Sequence, residues 1–195
     1  LVGPYIQRLF DKELYGVFND ASTWLEFAVI FGVFGIYTYG VREVASVRDS
    51  AEKCQKLYSS LFFIGLATNT IVLAAYTGII FFSVPSLNRV IYLVLGGKVF
   101  ANIFMVEWLN EAIENYRFIT IKTIVVRLLY VIGIFALIKK PDDVVKYSVL
   151  IVLTDLLNNL ISFVYVTRKI PMRLHGLEFK RHIPALISIL IISNI

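Results

Sequence analysis

Charge is scarce in this chain of 195 residues: Asp, Glu, Lys and Arg fill only 17% of positions, against 58% hydrophobic residues and a mean hydropathy of +0.75. A soluble domain of this length needs a polar surface that so few polar side chains cannot supply. A water-soluble globular fold is therefore excluded, and an integral membrane protein is implied. Cysteine occurs once, at Cys54, so no internal disulfide can form, and a lone thiol in a charged interval is read as incidental. The two histidines, His175 and His182, stand seven residues apart with no third ligand nearby and are expected to be solvated loop residues rather than a metal site. No Gly-rich phosphate loop, HExxH or Cys/His cluster is present, so no cofactor, no metal and no catalytic residue is expected. Proline and glycine are few and dispersed, which excludes a low-complexity linker.

What the chain has is long apolar runs. These predict an all-α integral membrane protein, a polytopic helical bundle with spans at about 17–39, 57–82, 90–106, 123–138 and 144–166. Pro85 and Pro141 mark tight turns between runs, and Asp142-Asp143 belongs to the second of these turns. The chain opens on Leu1-Val2-Gly3-Pro4, without an initiator Met or a leader pattern. It closes at Ile195 inside an apolar run that begins at about Ile183 and is too short to cross. It is thus expected to be one membrane domain, 1–195, cut from a longer transporter-sized protein, with five complete spans and parts of two more.

The net charge of +5 does not point to nucleic acid, because the basic residues sit in short gaps between apolar runs. Gaps on one side hold Arg42, Arg48, Lys53, Lys56, Arg117, Lys122, Arg127, Arg168, Lys169, Arg173, Lys180 and Arg181. The other side holds Arg8, Lys12, Arg89, Lys139, Lys140 and Lys146. The positive-inside rule then places loops 41–56, 107–122 and 168–182 in the cytoplasm. The interval Arg42 to Lys56 reads equally as an interfacial helix on the inner leaflet or as a solvated loop. Arg89 and Arg127, near span ends, are expected to snorkel.

Three spans carry polar groups where lipid would be. Asn19, Ser22, Thr23 and Glu26 fall at i, i+3, i+4 and i+7, a single face of a helix. Asp155, Asn158, Asn159 and Ser162 repeat that spacing, and Lys98 and Asn102 lie one turn apart. Such stripes line a watery cavity or act as interhelical glue; the Asn and Ser residues suit glue, whereas Lys98 and Glu26 suit a cavity. Neutralisation of Lys98 by Glu26 or Asp155 is the structural alternative. Gly32, Gly35 and Gly96-Gly97 are expected either to permit close helix packing or to soften the helices.

Three stretches resemble Wzx-type polysaccharide flippases of the multidrug/oligosaccharidyl-lipid/polysaccharide exporter superfamily. The opening PYIQRLFDKELYGVF, with Arg8, Tyr15 and Gly16, is similar to the outer end of that family's first helix. REVASVRD, Arg42 to Asp49, is similar to the signature after its second helix. WLNEAIENYR, with Trp108 and Glu114, is similar to a motif after its fourth. The pattern departs at Asp11-Lys12 and Ala112, where the family often has Gly-Pro and Gly.

The resemblance implies most of the N-terminal lobe of a 12–14-helix transporter in a bacterial cytoplasmic membrane. It implies movement of an undecaprenyl-diphosphate-linked oligosaccharide by alternating access, for surface polysaccharide such as capsule. Lys98, Arg8, Asn102 and Asn158 are then expected to bind substrate, and Glu26 and Asp155 to couple transport to protons. Polysaccharide polymerase and glycosyltransferases are the implied partners, besides membrane lipid. The rival reading is a drug or metabolite antiporter of the same superfamily. A membrane-embedded glycosyl- or phosphotransferase would have to draw on Asp49, Glu107, Glu111 and Glu114, which have no catalytic spacing. A scaffold in a polysaccharide assembly complex is the third alternative.

Overall fold

The computed structural model describes residues 2–193; Leu1, Asn194 and Ile195, on which the expected ends rest, lie outside the described residues. The described residues form α1 (Val2–Leu9), α2 (Lys12–Val33), α3 (Ile36–Val47), α4 (Ala51–Ser83), α5 (Arg89–Asn102), α6 (Glu107–Ala112), α7 (Tyr116–Leu137), α8 (Val144–Lys169) and α9 (Phe179–Ser193). No strand occurs among them. Five stretches are long and apolar enough to cross a membrane: Lys12–Val47, Ala51–Ser83, Arg89–Ala112, Tyr116–Leu137 and Val144–Lys169. Large apolar side chains such as Phe27, Ile71, Phe82, Leu128, Ile132 and Leu153 are exposed along these helices, as expected where the surrounding solvent is hydrocarbon.

Helix α5 is central, packed on α2, α4 and α8. Glycine makes two of these contacts possible. A Cβ on Gly96 would lie 2.8 Å from the Tyr76 ring of α4, and one on Gly97 would lie 2.7 Å from Val152 of α8. Asp11 caps α2, its carboxylate accepting from the Glu13 and Leu14 amides at 2.9 and 3.4 Å.

The first apolar run is not one helix. It breaks at Phe34 and Gly35, both left-handed with φ of 51° and 71°. A helix end leaves carbonyls without intrahelical donors. Here the Gly32 carbonyl accepts from Thr68 Oγ1 and Asn69 Nδ2, each at 2.9 Å. A Cβ on Gly35 would also crowd Ile189 and the Leu186 carbonyl of α9, at 3.1 and 3.2 Å. A second break, at residues 103–106, separates α5 from α6.

The interval Arg42 to Lys56 is neither a single helix nor a single loop. Helix α3 runs on to Val47 and α4 begins at Ala51, so the span helices themselves carry these charges to a three-residue turn. Val44 and Cys54 are buried there beneath Trp108, for which Gly40 leaves room. At 33 residues α4 is about 50 Å long by helical rise, well beyond the ~30 Å of a hydrocarbon core, so its charged first turns can stand clear of the lipid. Residues 170–178 fold onto those turns. The Arg173 amide donates to Ser59 Oγ (2.9 Å), the Glu178 amide to Ser60 Oγ (3.1 Å) and Gln55 Nε2 to the Pro171 carbonyl (2.6 Å).

His182 is likewise not a solvated loop residue. It lies buried on α9, hydrogen-bonded through Nδ1 to the Tyr39 hydroxyl at 2.8 Å. Burial and the neighbouring Arg181 guanidinium hold its imidazole below the usual histidine value.

The apolar core is divided. One cluster, including Ile6, Phe10, Leu25, Tyr76, Leu95, Ile134 and Tyr147, fills the end bearing the 84–88 and 138–143 turns. The other, including Tyr39, Val44, Tyr58, Leu61, Trp108 and Val166, fills the end bearing the 48–50 turn. Between them, at the level of the two helix breaks, stand Asn69, Asn102 and Asn159.

Candidate functional site

Two openings lie at this middle level. One, of about 530 Å³, is lined by Glu26 and Ile30 of α2, Lys98 and Asn102 of α5, and Asp155 and Asn159 of α8. The larger, of about 790 Å³, lies between α1, α7 and α8 and is lined by Gly3, Arg127, Tyr130, Thr154, Asp155 and Asn158 among others. Asp155 lines both, so the two openings flank a single carboxylate.

The structure thus brings together Glu26, Lys98, Asn102 and Asp155, expected from their positions in separate spans. Asn158 joins them on the α7 side of Asp155. Arg8 does not: it is exposed near the end of α1 and lines neither opening. The Lys98 ammonium is bound to the Asp155 carboxylate at 2.9 Å, so this cation enters the cavity already paired. Both side chains remain partly open, at 34% and 43% exposure, so the pair faces the cavity rather than the packed interior. Among the described residues no cation lies within ion-pair distance of Glu26.

The two polar stripes divide between cavity and glue. On α8, Asn159 Nδ2 donates to the Ala101 carbonyl at 2.9 Å and Ser162 bonds Glu107 and Lys122, whereas Asp155 and Asn158 face open space. On α2, Ser22 and Thr23 return their hydroxyls to the Phe18 and Asn19 carbonyls, leaving Glu26 as the residue that reaches the cavity. Asn102 Nδ2 is buried without a hydrogen-bond partner, as is Asn69 Oδ1 across the small gap between the two helix breaks.

Arg127 is the residue the sequence reading misplaced. With a span taken to begin at 123 it stood at a membrane edge, free to snorkel. Helix α7 begins at Tyr116, so Arg127 is eleven residues in, about 17 Å along the axis and halfway along a helix long and apolar enough to cross a membrane. The misreading came from Lys122, which was counted as a surface charge. Its side chain is 2% exposed and bound to Glu107, Ser162 Oγ and the Asn158 carbonyl inside the bundle. Among the described residues no carboxylate lies within 4 Å of the Arg127 guanidinium. It is therefore the uncompensated cation of this level, and Lys98 is the compensated one.

An unpaired guanidinium, an unpaired carboxylate and a Lys–Asp pair at one depth can receive an anion, hydrogen-bond hydroxyls and exchange protons. Among the described residues no group of three or more His, Cys, Asp or Glu is placed to hold a metal ion.

Two comparisons bear on this arrangement. Over residues 1–190 the chain matches the family described as polysaccharide biosynthesis protein. A curated protein of Escherichia coli (strain K12), "Putative O-antigen transporter", is 22% identical over 146 residues, which are 74% of this chain and 35% of that protein. The chain spans about a third of the length of this relative. No solved structure matches it.

Proposed function

We propose, because the chain belongs to the polysaccharide biosynthesis protein family, that this multi-pass membrane protein carries half of a translocation path for a lipid-linked oligosaccharide. The observation that supports this most is the uncompensated Arg127 halfway along α7, which lines the larger opening with Asp155, Asn158 and Thr154. A cation held in low dielectric is costly unless a ligand or water compensates it, and a diphosphate-linked sugar supplies both anionic charge and hydroxyls. In this reading Arg127 receives the diphosphate and Asn158 and Asn102 meet sugar hydroxyls. Lys98 is released to the ligand when Asp155 takes a proton, and Glu26 is the second proton-exchanging carboxylate. Arg8, at the end of α1, would act only at the mouth. The lipid tail never leaves the bilayer; the head group crosses as one lobe rocks against the other.

The ends are oriented by charge. Arg42, Arg48, Lys53, Lys56, Arg117, Arg168, Lys169, Arg173, Lys180 and Arg181 belong to the end with the 48–50 turn, against Arg8, Lys12, Arg89, Lys139, Lys140 and Lys146 at the other. With Lys122 and Arg127 left out the asymmetry persists, and it supports the reading that the intervals 41–56 and 168–182, together with α6 and the start of α7, face the cytoplasm of a bacterium.

The test is translocation of undecaprenyl-diphosphate-linked oligosaccharide by the full-length protein in proteoliposomes. Arg127→Gln is expected to lower the rate by at least about tenfold, and Arg127→Lys to restore part of it. An unchanged rate in Arg127→Gln would remove the anion-receiving role. The unpaired Glu26 favours one rival, an antiporter of organic cations in the same superfamily. That reading requires small cations to be transported and to compete, and the proposal requires that they do neither.

A further inference from the structure

Away from the central openings, the outer face of α7 and α8 carries a second arrangement. Phe118 and Tyr165 stack with ring centroids 3.8 Å apart and planes 12° from parallel. The stack is braced: Asn115 Nδ2 donates to the Tyr165 hydroxyl at 3.0 Å, and the Lys169 ammonium sits 4.6 Å above the Tyr165 ring. It stands as a wall between two shallow grooves. One, of about 560 Å³, runs along Leu160, Ile161 and Val164 and ends at Arg168 and Lys169. The other, of about 430 Å³, runs along Ile121, Val125 and Ile161 and ends at Arg117. Apart from these three cations, Asn115, Lys122 and the Tyr165 hydroxyl, both are lined by carbon.

None of these cations is paired with a carboxylate. Among the described residues Arg117, Arg168 and Lys169 have no carboxylate within 4 Å. The carboxylates of the adjoining segment are engaged elsewhere: Glu107 with Lys122, Glu111 with Tyr37 and Glu114 with Arg48. Lys122 borders the second groove, but its ammonium is turned inward to Glu107. Two apolar grooves that share the Phe118–Tyr165 wall and are bordered by three cations without carboxylate partners match a molecule with two hydrocarbon chains and one anionic head.

We propose that the paired grooves flanking the Phe118–Tyr165 stack hold a two-chained anionic phospholipid, its phosphate at Arg117, Arg168 and Lys169. The two chains lie one on each side of the stack, which keeps them apart. The charge cluster distinguishes this lipid from a zwitterionic one, because basic pockets between membrane helices at the charged face select anionic head groups. The two grooves distinguish it from the single-chained polyisoprenyl substrate, which would fill one and leave the other empty. The site is independent of the transport reading, since neither groove shares a residue with the openings around Asp155.

The experiment uses the full-length protein in nanodiscs of phosphatidylcholine, each doped with a photoreactive lipid. One arm carries phosphatidylglycerol and the other phosphatidylcholine with the same chains. Peptides covering residues 116–125 and 160–169 are expected to be labelled about fivefold or more in favour of phosphatidylglycerol, as a cation near the surface contributes about 1 kcal/mol to such binding. The triple variant Arg117→Gln, Arg168→Gln, Lys169→Gln, at exposed positions and with the Asn115 bond to Tyr165 left to hold the stack, should reduce that preference to near unity. Phe118→Ala, which removes the wall, should reduce labelling of both peptides while leaving the charges in place. Equal labelling by the two lipids, absence of labelling from both peptides, or an unaltered preference in the triple variant would overturn the proposal. Displacement of phosphatidylglycerol by added undecaprenyl diphosphate would also overturn it, by assigning the grooves to the single-chained lipid. Loss of transport in Arg127→Gln with this labelling intact would separate the two sites.

Discussion

Removing one side of the Lys122–Glu107 pair should cost far more than removing both. The Lys122 side chain is 2% exposed and Glu107 17%, and the ammonium meets both carboxylate oxygens at 2.8–2.9 Å, with Ser162 Oγ at 2.8 Å. Glu107→Gln would leave a full positive charge in the bundle with only neutral acceptors. Breaking one side of a buried pair costs roughly 3–5 kcal/mol, because the surviving charge is neither hydrated nor neutralised. Lys122→Met should fall at the lower end of that range, since Glu107 retains some access to water and can take up a proton. The double variant removes both charges at nearly constant volume and should lose less than either single one. Reversible unfolding of the full-length protein in mixed micelles, followed by circular dichroism, would give a coupling energy of about 2 kcal/mol or more. Additivity within about 0.5 kcal/mol, or single losses below about 1 kcal/mol, would refute the reasoning and return Lys122 to the membrane surface.

Three further outcomes can be checked. Asp143 accepts from the Lys139 and Lys140 amides at 3.0 and 2.9 Å and pairs with Lys146 at 2.7 Å; the Lys146 ammonium first, then the two amides, hold its carboxyl down at about 2. Its contribution is present above the unfolded value of 3.8 and is lost as pH falls toward 2, so hydrogen exchange at the 138–143 turn should rise over that window, and Asp143→Asn should abolish the pH dependence. His182 is held below its usual value by burial first and Arg181 second, against the opposing pull of Glu178 and Glu43. The neutral form is therefore the one that docks α9, its contribution is full above about 6.5, and exchange of the α9 amides should increase as pH falls below that. Gly40→Ala would put a Cβ 2.5 Å from the Trp108 ring; the expected loss is about 1–3 kcal/mol with a shift in Trp108 fluorescence, and an unshifted spectrum at full stability would show that α3 and α6 do not meet there.

Which parts were legible in the sequence follows from what each residue's neighbours do. The run beginning at Val144 was legible because its start coincides with a turn and its charges lie at its far end, Arg168 and Lys169. The start of α7 was not, since Lys122 looks exposed until Glu107 and Ser162 are seen around it. Arg42 to Lys56 misled for the converse reason: charges on the ends of long helices resemble a loop when helix length is unknown. The stripe containing Asp155 divides in the structure, with Asp155 and Asn158 lining an opening and Asn159 and Ser162 bonded to neighbouring helices. Spacing alone could not say that Asn159 would be spent on the Ala101 carbonyl while Asn158 stayed open. Nor could it foresee the break at Phe34, because the group that steadies it, Asn69, belongs to another span.

That break places control of a bend in an unexpected part of the chain. Elsewhere the stiffness of a span comes from its own ladder of amide bonds. Between α2 and α3 the ladder is interrupted, and the Gly32 carbonyl is held instead by the side chains of Thr68 and Asn69 on α4. The joint therefore behaves as a bracket screwed to its neighbour: the left-handed Phe34 and Gly35 make the bend, and two side-chain hydrogen bonds from α4 help set how firmly the two halves of the run keep their angle. The compliance of one rod is a property of the next rod along, and a single exchange at Asn69 would loosen a helix to which it does not belong.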